Sequence, residues 1–306
     1  MKDIIKKVPI PVCGVMLGLA ALGNLLQSYS EAVRSCCGIL SAFLLVLMLL
    51  KIIMFPKAVA EDMKNPVMAS VFATFPMTLM LLSTYAKPFI GGAAYVIWLL
   101  AILLHIAVIL YFTRTFVFGL KMPTVHASWF IVYVGIAVAG ITAPAYGKTG
   151  IGTAAFWFGF VCWIALMVLV TMRYLKYKEI PAPAKPLFCI YAAPTSLLIA
   201  AYVQSVTPKS LTFLKVMLCV ATLLWLISLA KAVTFVKKPF MPSYASFTFP
   251  FVISGIAAKQ TMACAAKLES PMSALKPLVL VETVIAAVFV ICVFIGFMKF
   301  IFAGKK

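Results

Sequence analysis

The 306-residue chain is 65% hydrophobic and only 11% charged, far more apolar than a soluble domain whose polar surface must face water. Its formal net charge of +19 invites a nucleic-acid reading, since basic patches release counterions from phosphate backbones. Most of that charge falls in short loops between apolar runs, where membrane topology and anionic headgroups account for it, so an all-α membrane protein without a nucleic-acid partner is expected.

Apolar runs of about 20 residues, the length a helix needs to cross the hydrocarbon core, are predicted near 8–26, 36–54, 67–86, 92–112, 125–145, 151–172, 187–205, 211–231, 241–264 and 278–301. The first follows Lys2, Lys6 and Lys7 and enters through Pro9-Ile-Pro11-Val-Cys-Gly14. Its basic start resembles a signal peptide, but the apolar core is as long as the others and no small-residue cleavage motif precedes Glu31 and Arg34, so it is read as retained. The second is a smooth aliphatic run, Leu40-Ser-Ala-Phe-Leu-Leu-Val-Leu-Met-Leu-Leu50. The third reads Pro66-Val-Met-Ala-Ser-Val-Phe-Ala-Thr-Phe-Pro76-Met, with two prolines. The fourth carries His105, expected to bond helix to helix.

The fifth, after Pro123, lacks an inner proline and carries Gly135, Gly140 and Pro144 instead. The seventh gives Pro186-Leu-Phe-Cys-Ile-Tyr-Ala-Ala-Pro194-Thr, and the ninth Pro239-Phe-Met-Pro-Ser-Tyr-Ala-Ser-Phe-Thr-Phe-Pro250-Phe. Thr-Phe-Pro thus recurs at nearly the same depth in the third and ninth spans. The tenth, through Val284-Ile-Ala-Ala-Val-Phe-Val-Ile-Cys-Val-Phe294, is again smooth.

Odd spans therefore carry proline, and even spans have no proline and, mostly, no glycine. A proline frees backbone groups that must find partners inside the protein or face a water-filled cavity, whereas an aliphatic helix suits lipid. The alternation predicts a single transmembrane domain over residues 1–306, built of five helical hairpins at approximately 1–57, 58–115, 116–178, 179–235 and 236–306. Their inner, odd-numbered helices would surround a central pore. Most of the 26 Lys and Arg residues lie at the termini, including Lys305 and Lys306, or in loops after even spans, which predicts cytoplasmic termini. The eight cysteines are expected to be packing residues, because no metal-ligand spacing appears.

The span count, the alternation, Gly18-Leu-Ala-Ala-Leu-Gly23 in the first span and Phe247-Thr-Phe-Pro250 in the ninth resemble the tellurite-resistance/dicarboxylate transporter family. That family includes the slow-type anion channels of plant guard cells, and the resemblance covers essentially the whole chain. It implies a homotrimer in a plasma membrane, here a bacterial inner membrane, with a pore in each subunit occluded by a phenylalanine of the ninth helix. Carried over, the gate is Phe249. Phe247 lies about 200° around a helix from it, so both cannot face the pore. The family usually places an aromatic residue before the Gly-Leu motif, where this chain has Gly14-Val15-Met16, so that wall is expected to be wider or differently lined.

Further pore-lining candidates are Phe75, Phe247, Val12, Phe130, Ala193, Thr74, Thr195 and Ser246. Lys259 is the candidate for attracting anions at the outer mouth, against simple snorkelling. The leading functional expectation is a channel-like path for small inorganic or organic anions. The alternative is a proton-coupled carrier of C4-dicarboxylates or oxyanions such as tellurite, which needs a titratable group in the membrane. Glu282 is the candidate, although pairing with Lys276 or an interfacial position is the expected state. A membrane enzyme or sensor is the third reading. It lacks HExxH, a Gly-rich phosphate loop and a haem-ligand pattern, and neither a catalytic residue, a cofactor nor a metal is expected.

Overall fold

The computed structural model describes residues 2–302; Lys305 and Lys306, counted above in the charge bias, lie outside the described residues. In chain order the helices are α1 (Lys2–Lys7), α2 (Val12–Leu26), α3 (Glu31–Met54), α4 (Pro56–Asp62), α5 (Pro66–Phe72), α6 (Thr74–Ile90), α7 (Gly92–Phe112), α8 (Trp129–Val134), α9 (Val138–Thr142), α10 (Thr149–Lys176), α11 (Ala193–Ser205), α12 (Leu211–Val233), α13 (Phe249–Lys267) and α14 (Lys276–Phe302). Among the described residues there is no strand.

Eight segments are long and apolar enough to cross a membrane, and they fall into two classes by burial. Pro66–Ile90, Trp129–Tyr146 and Ala182–Ser205 are 67% to 89% buried; Glu31–Met54, Gly92–Val117, Thr149–Lys176, Leu211–Val233 and Ser273–Phe302 only 28% to 39%. The shorter α2 is buried except at Asn24 and Leu26, and α13 is buried from Phe249 through Ala258. These two join the inner class. The inner segments form a closed ring, α2 against α6, α6 against α9, α9 against α11, α11 against α13 and α13 back against α2. Each also packs on the outer helix that follows it in the chain: α3, α7, α10, α12 and α14 respectively.

The chemistry of the sequence explains the split. Outer helices place Ile39, Leu103, Val161, Leu223 and Ile291 on the exposed side, and in lipid such side chains carry no exposure penalty. Inner segments are interrupted. The ninth span changes from a 3-10 helix, Pro242–Phe247, to α13 across Thr248. The seventh changes from the 3-10 helix Ala182–Ala192 to α11, and the third from α5 to α6 across Ala73. Pro250, Pro194 and Pro76 all lie in the first turn of the new helix, where a missing N–H costs nothing because that donor has no intrahelical partner. In the fifth span, which lacks an inner proline, a 3-10 turn at Gly135–Ala137 separates α8 from α9.

The expectation that cysteines serve as packing residues needs correction. Cys13, Cys37, Cys189 and Cys264 are buried, whereas Cys36, Cys219 and Cys292 are exposed. The exposed three lie on α3, α12 and α14, whose outward faces need only be apolar.

Candidate functional site

A cavity of about 680 Å³ lies inside the ring and takes lining residues from all five inner segments. The contributions come mainly from the first half of each segment, with Leu197 of the seventh lying farther along. The lining residues farthest along each segment are Gly14, Met77, Gly135, Leu197 and the pair Phe249-Pro250. Phe249 is 6% exposed.

Close backbone packing fixes Phe249 in place. A Cβ on Gly18 would lie 2.6 Å from Thr248 Cβ and 3.1 Å from the Phe249 nitrogen, so α2 approaches this turn only because Gly18 has no side chain. The Thr248 hydroxyl donates to the Ala245 carbonyl at 2.7 Å and to the Gly14 carbonyl at 3.0 Å, tying the turn to α2. On the opposite wall a Cβ at Gly135 would meet Met77 Sδ at 2.7 Å and His105 Cε1 at 3.0 Å. His105 Nε2 lies 2.9 Å from the Val132 carbonyl, joining α7 to the fifth span.

The electrostatics follow from the interruptions. The first residues of α6, α11 and α13 (Thr74, Ala193 and Phe249) line the cavity, and α2 starts beside it, between the lining residues Pro11 and Gly14. The N–H groups there are largely paired, those of Val12, Cys13 and Gly14 with the carbonyls of Pro9, Ile10 and Pro11, that of Ala193 with Ile190 and that of Phe251 with Thr248. No Lys, Arg, Asp or Glu is among the lining residues. His126, before the helix at Trp129, lines the cavity with Nδ1 buried and unpartnered. Burial first, and the Arg173 charge second, push His126 down to about 4, so at neutral pH it is uncharged. Arg173 itself is 1% exposed and donates to the Pro123 and Tyr177 carbonyls at 3.1 Å, with Nε unpartnered. It therefore sits behind the cavity wall rather than in it.

The predicted residues separate clearly. Phe249, Phe130, Ala193, Thr74 and Ser246 are among the cavity-lining residues; Val12, Phe75, Phe247 and Thr195 are not. Phe247 stacks against Phe235, Tyr244 and Phe289. Phe75 stacks on Phe72 with ring centroids 5.4 Å apart. Thr195 accepts from Trp163 Nε1 at 3.1 Å, and Val12 is wholly buried. Gly14 occupies the wall where an aromatic residue was missing from the first span.

Hydroxyl groups contribute less than their number suggests. The Thr74 hydroxyl donates to the Val71 carbonyl at 2.7 Å, and that of Ser246 to the Pro186 and Ser243 carbonyls at 2.8 Å. One hydroxyl has one proton, and these protons serve backbone carbonyls at the helix interruptions. Ser243 Oγ, in contrast, has no partner among the described residues and lines the cavity. Asn65, also a lining residue, uses its side-chain oxygen to cap α5, accepting from Val67 and Met68. Ser243 and Asn65 went unmarked in the sequence because nothing local sets them apart from ordinary loop residues, and His126 was weighed there only as a haem ligand.

Lys259 lies away from the cavity. Its Nζ donates to the Leu25 carbonyl at 2.9 Å and to Ser28 Oγ at 2.5 Å, and sits 4.9 Å from the Tyr29 ring centroid. There it serves the C-terminal end of α2, where a cation is favourable. Glu282 departs from the expected pairing with Lys276. It is 2% exposed, its Oε2 has no partner among the described residues, and its Cβ lies 3.7 Å from the Cβ position of Gly255. Six residues along α14 is more than a turn and a half, which puts Lys276 on another face. Among the described residues no three His, Cys, Asp or Glu side chains gather to hold a metal.

Compared with known families, residues 7–298 match the family model described as a voltage-dependent anion channel. A search of curated proteins finds no match.

Proposed function

The chain belongs to the SLAC1 family of voltage-dependent anion channels, and from that premise we propose that each subunit passes small anions through its ring of inner segments, with Phe249 as the gate. The family consists of channels and transporters, and the chain is a multi-pass membrane protein of that kind. The carrying observation is that one cavity, lined by all five inner segments, reaches Phe249. A large ring at a narrow apolar point blocks ions sterically and by dewetting. The chain's formal net charge of +19 raises the local concentration of anions at the pore mouths.

In this reading the protein has ten spans arranged as five hairpins, both termini are cytoplasmic and the cavity opens to the cytoplasm. It works as a homotrimer in a plasma membrane. Currents through purified protein in liposomes test the reading. Reversal at the chloride equilibrium potential, unmoved by a pH gradient, is expected. Uphill anion uptake driven by a pH gradient overturns it.

One observation favours a second reading, a proton-coupled carrier of dicarboxylates or oxyanions. The carboxyl group of Glu282 is buried against α13 and has no ion pair among the described residues, and an intramembrane acid of that kind is costly unless it binds a proton. It does not line the cavity, which places this reading second. Glu282→Gln abolishes pH-driven uptake if the carrier reading holds, and leaves chloride current unchanged if the channel reading holds.

A further inference from the structure

Away from the inner cavity, a crevice of about 980 Å³ opens between the C-terminal ends of the outer helices α10 and α12. Here the two outer helices leave a gap, and its floor is the inner 3-10 segment Ala182–Ala192 with Phe188 and Tyr191. Lys178 and Lys185 approach from the connection after α10, and Lys231 and Lys238 from the end of α12. All four are exposed, no Asp or Glu lines the crevice, and none of the four forms an ion pair among the described residues. Below the lysines the wall continues as aliphatic surface; Leu175 and Ile227 line the crevice and are 70% and 45% exposed.

Helix C-termini alone would call for one cation each. Four lysines from two chain segments, around one deep apolar slot, exceed that requirement. Concentrated positive charge at the rim and hydrocarbon surface beneath match an amphiphile with an anionic head and acyl chains. A soluble anion would have no use for the apolar wall, and a neutral lipid none for the lysines.

We propose that this crevice is a binding site for an anionic glycerophospholipid, its phosphate held by Lys178, Lys185, Lys231 and Lys238 and its chains lying along α10 and α12. Basic pockets between transmembrane helices on the cytoplasmic side bind anionic headgroups by this logic. The crevice floor touches the cavity wall, where Tyr191 packs on Phe130 at 5.4 Å between ring centroids. The proposal concerns binding, and its test reads no ion flux, so it stands or falls separately from the anion pathway.

The test is native mass spectrometry of the full-length detergent-purified protein offered equal amounts of phosphatidylglycerol and phosphatidylcholine. Phosphatidylglycerol is expected to be retained about tenfold more strongly. The preference should vanish in a variant with Lys178→Gln, Lys185→Gln, Lys231→Gln and Lys238→Gln. It should survive in a variant with Lys2→Gln, Lys57→Gln, Lys121→Gln and Lys299→Gln, which loses the same charge elsewhere. Equal retention of both lipids, or equal loss in both variants, overturns the proposal. So does displacement of phosphatidylglycerol by millimolar inorganic phosphate, which marks a soluble-anion site. If the crevice variant does not fold, amine labelling of the unaltered protein decides. Phosphatidylglycerol should protect these four lysines, whereas protection in the oligomer without lipid means that a second copy fills the crevice and the proposal fails.

Discussion

The third and ninth spans carry the same tripeptide, Thr74-Phe75-Pro76 and Thr248-Phe249-Pro250, yet present opposite members of it to the cavity. In the third span Thr74 lines the cavity and Phe75 turns away onto Phe72. In the ninth, Phe249 lines it while the Thr248 hydroxyl turns to the Gly14 carbonyl. The difference begins just upstream. Ala73 keeps helical angles, φ −59° and ψ −18°, between α5 and α6, so the helix hardly loses phase. Thr248, at φ −91° and ψ −93°, succeeds a 3-10 helix, whose three-residue turn has already shifted the phase with which α13 begins. A shared motif therefore transfers residue types, while the backbone before it sets which one faces inward.

The largest expected effect is on conduction. Phe249→Ala should raise chloride current through reconstituted protein by about tenfold or more, by removing the ring proposed as the gate. Phe75→Ala should leave it near the unaltered level. Equal gains from both substitutions break the comparison. Next comes the close approach that positions the ninth-span turn. Gly18→Ala forces a Cβ against Thr248 and should cost about 1–3 kcal/mol in detergent unfolding. Gly14→Ala, whose Cβ would meet Ala245 Cβ at 3.3 Å, should cost less.

The hydroxyl bonds sharpen the same contrast. Thr248→Val removes the tie to α2 and should cost about 1–2 kcal/mol, more than Thr74→Val, which removes only a bond to a neighbouring turn. A larger loss at Thr74 would mean that the third span carries the fixed turn. Smallest is the pair Ser246 and Ser243. Ser246→Ala should lower stability by about 1 kcal/mol, with little change in current. Ser243→Ala, at an unpartnered hydroxyl, should reduce current about twofold at unchanged stability, and a stability loss there would show that the hydroxyl serves the scaffold.

Much of the helix layout was legible in the sequence, because apolar length and proline placement act locally. The predicted run at 278–301 is α14 (Lys276–Phe302), and 211–231 is α12 (Leu211–Val233). The burial split also tracks the proline alternation, since freed backbone groups drive a segment inward. The site was only partly legible. Residue type marked Phe249, but Phe75, Phe247 and Thr195 share its type or its position and pack elsewhere.

Composition and spacing, then, determined by themselves that this chain is a set of apolar helices of two kinds, because hydrophobicity and the missing proline N–H act within a single turn. The tertiary structure alone decided which side chains line the cavity, that Lys259 caps a helix and that Glu282 has no cation beside it among the described residues. Those outcomes depend on helix phase and on neighbours as much as 234 residues away along the chain, as in the Thr248 bond to Gly14, and no local pattern encodes either.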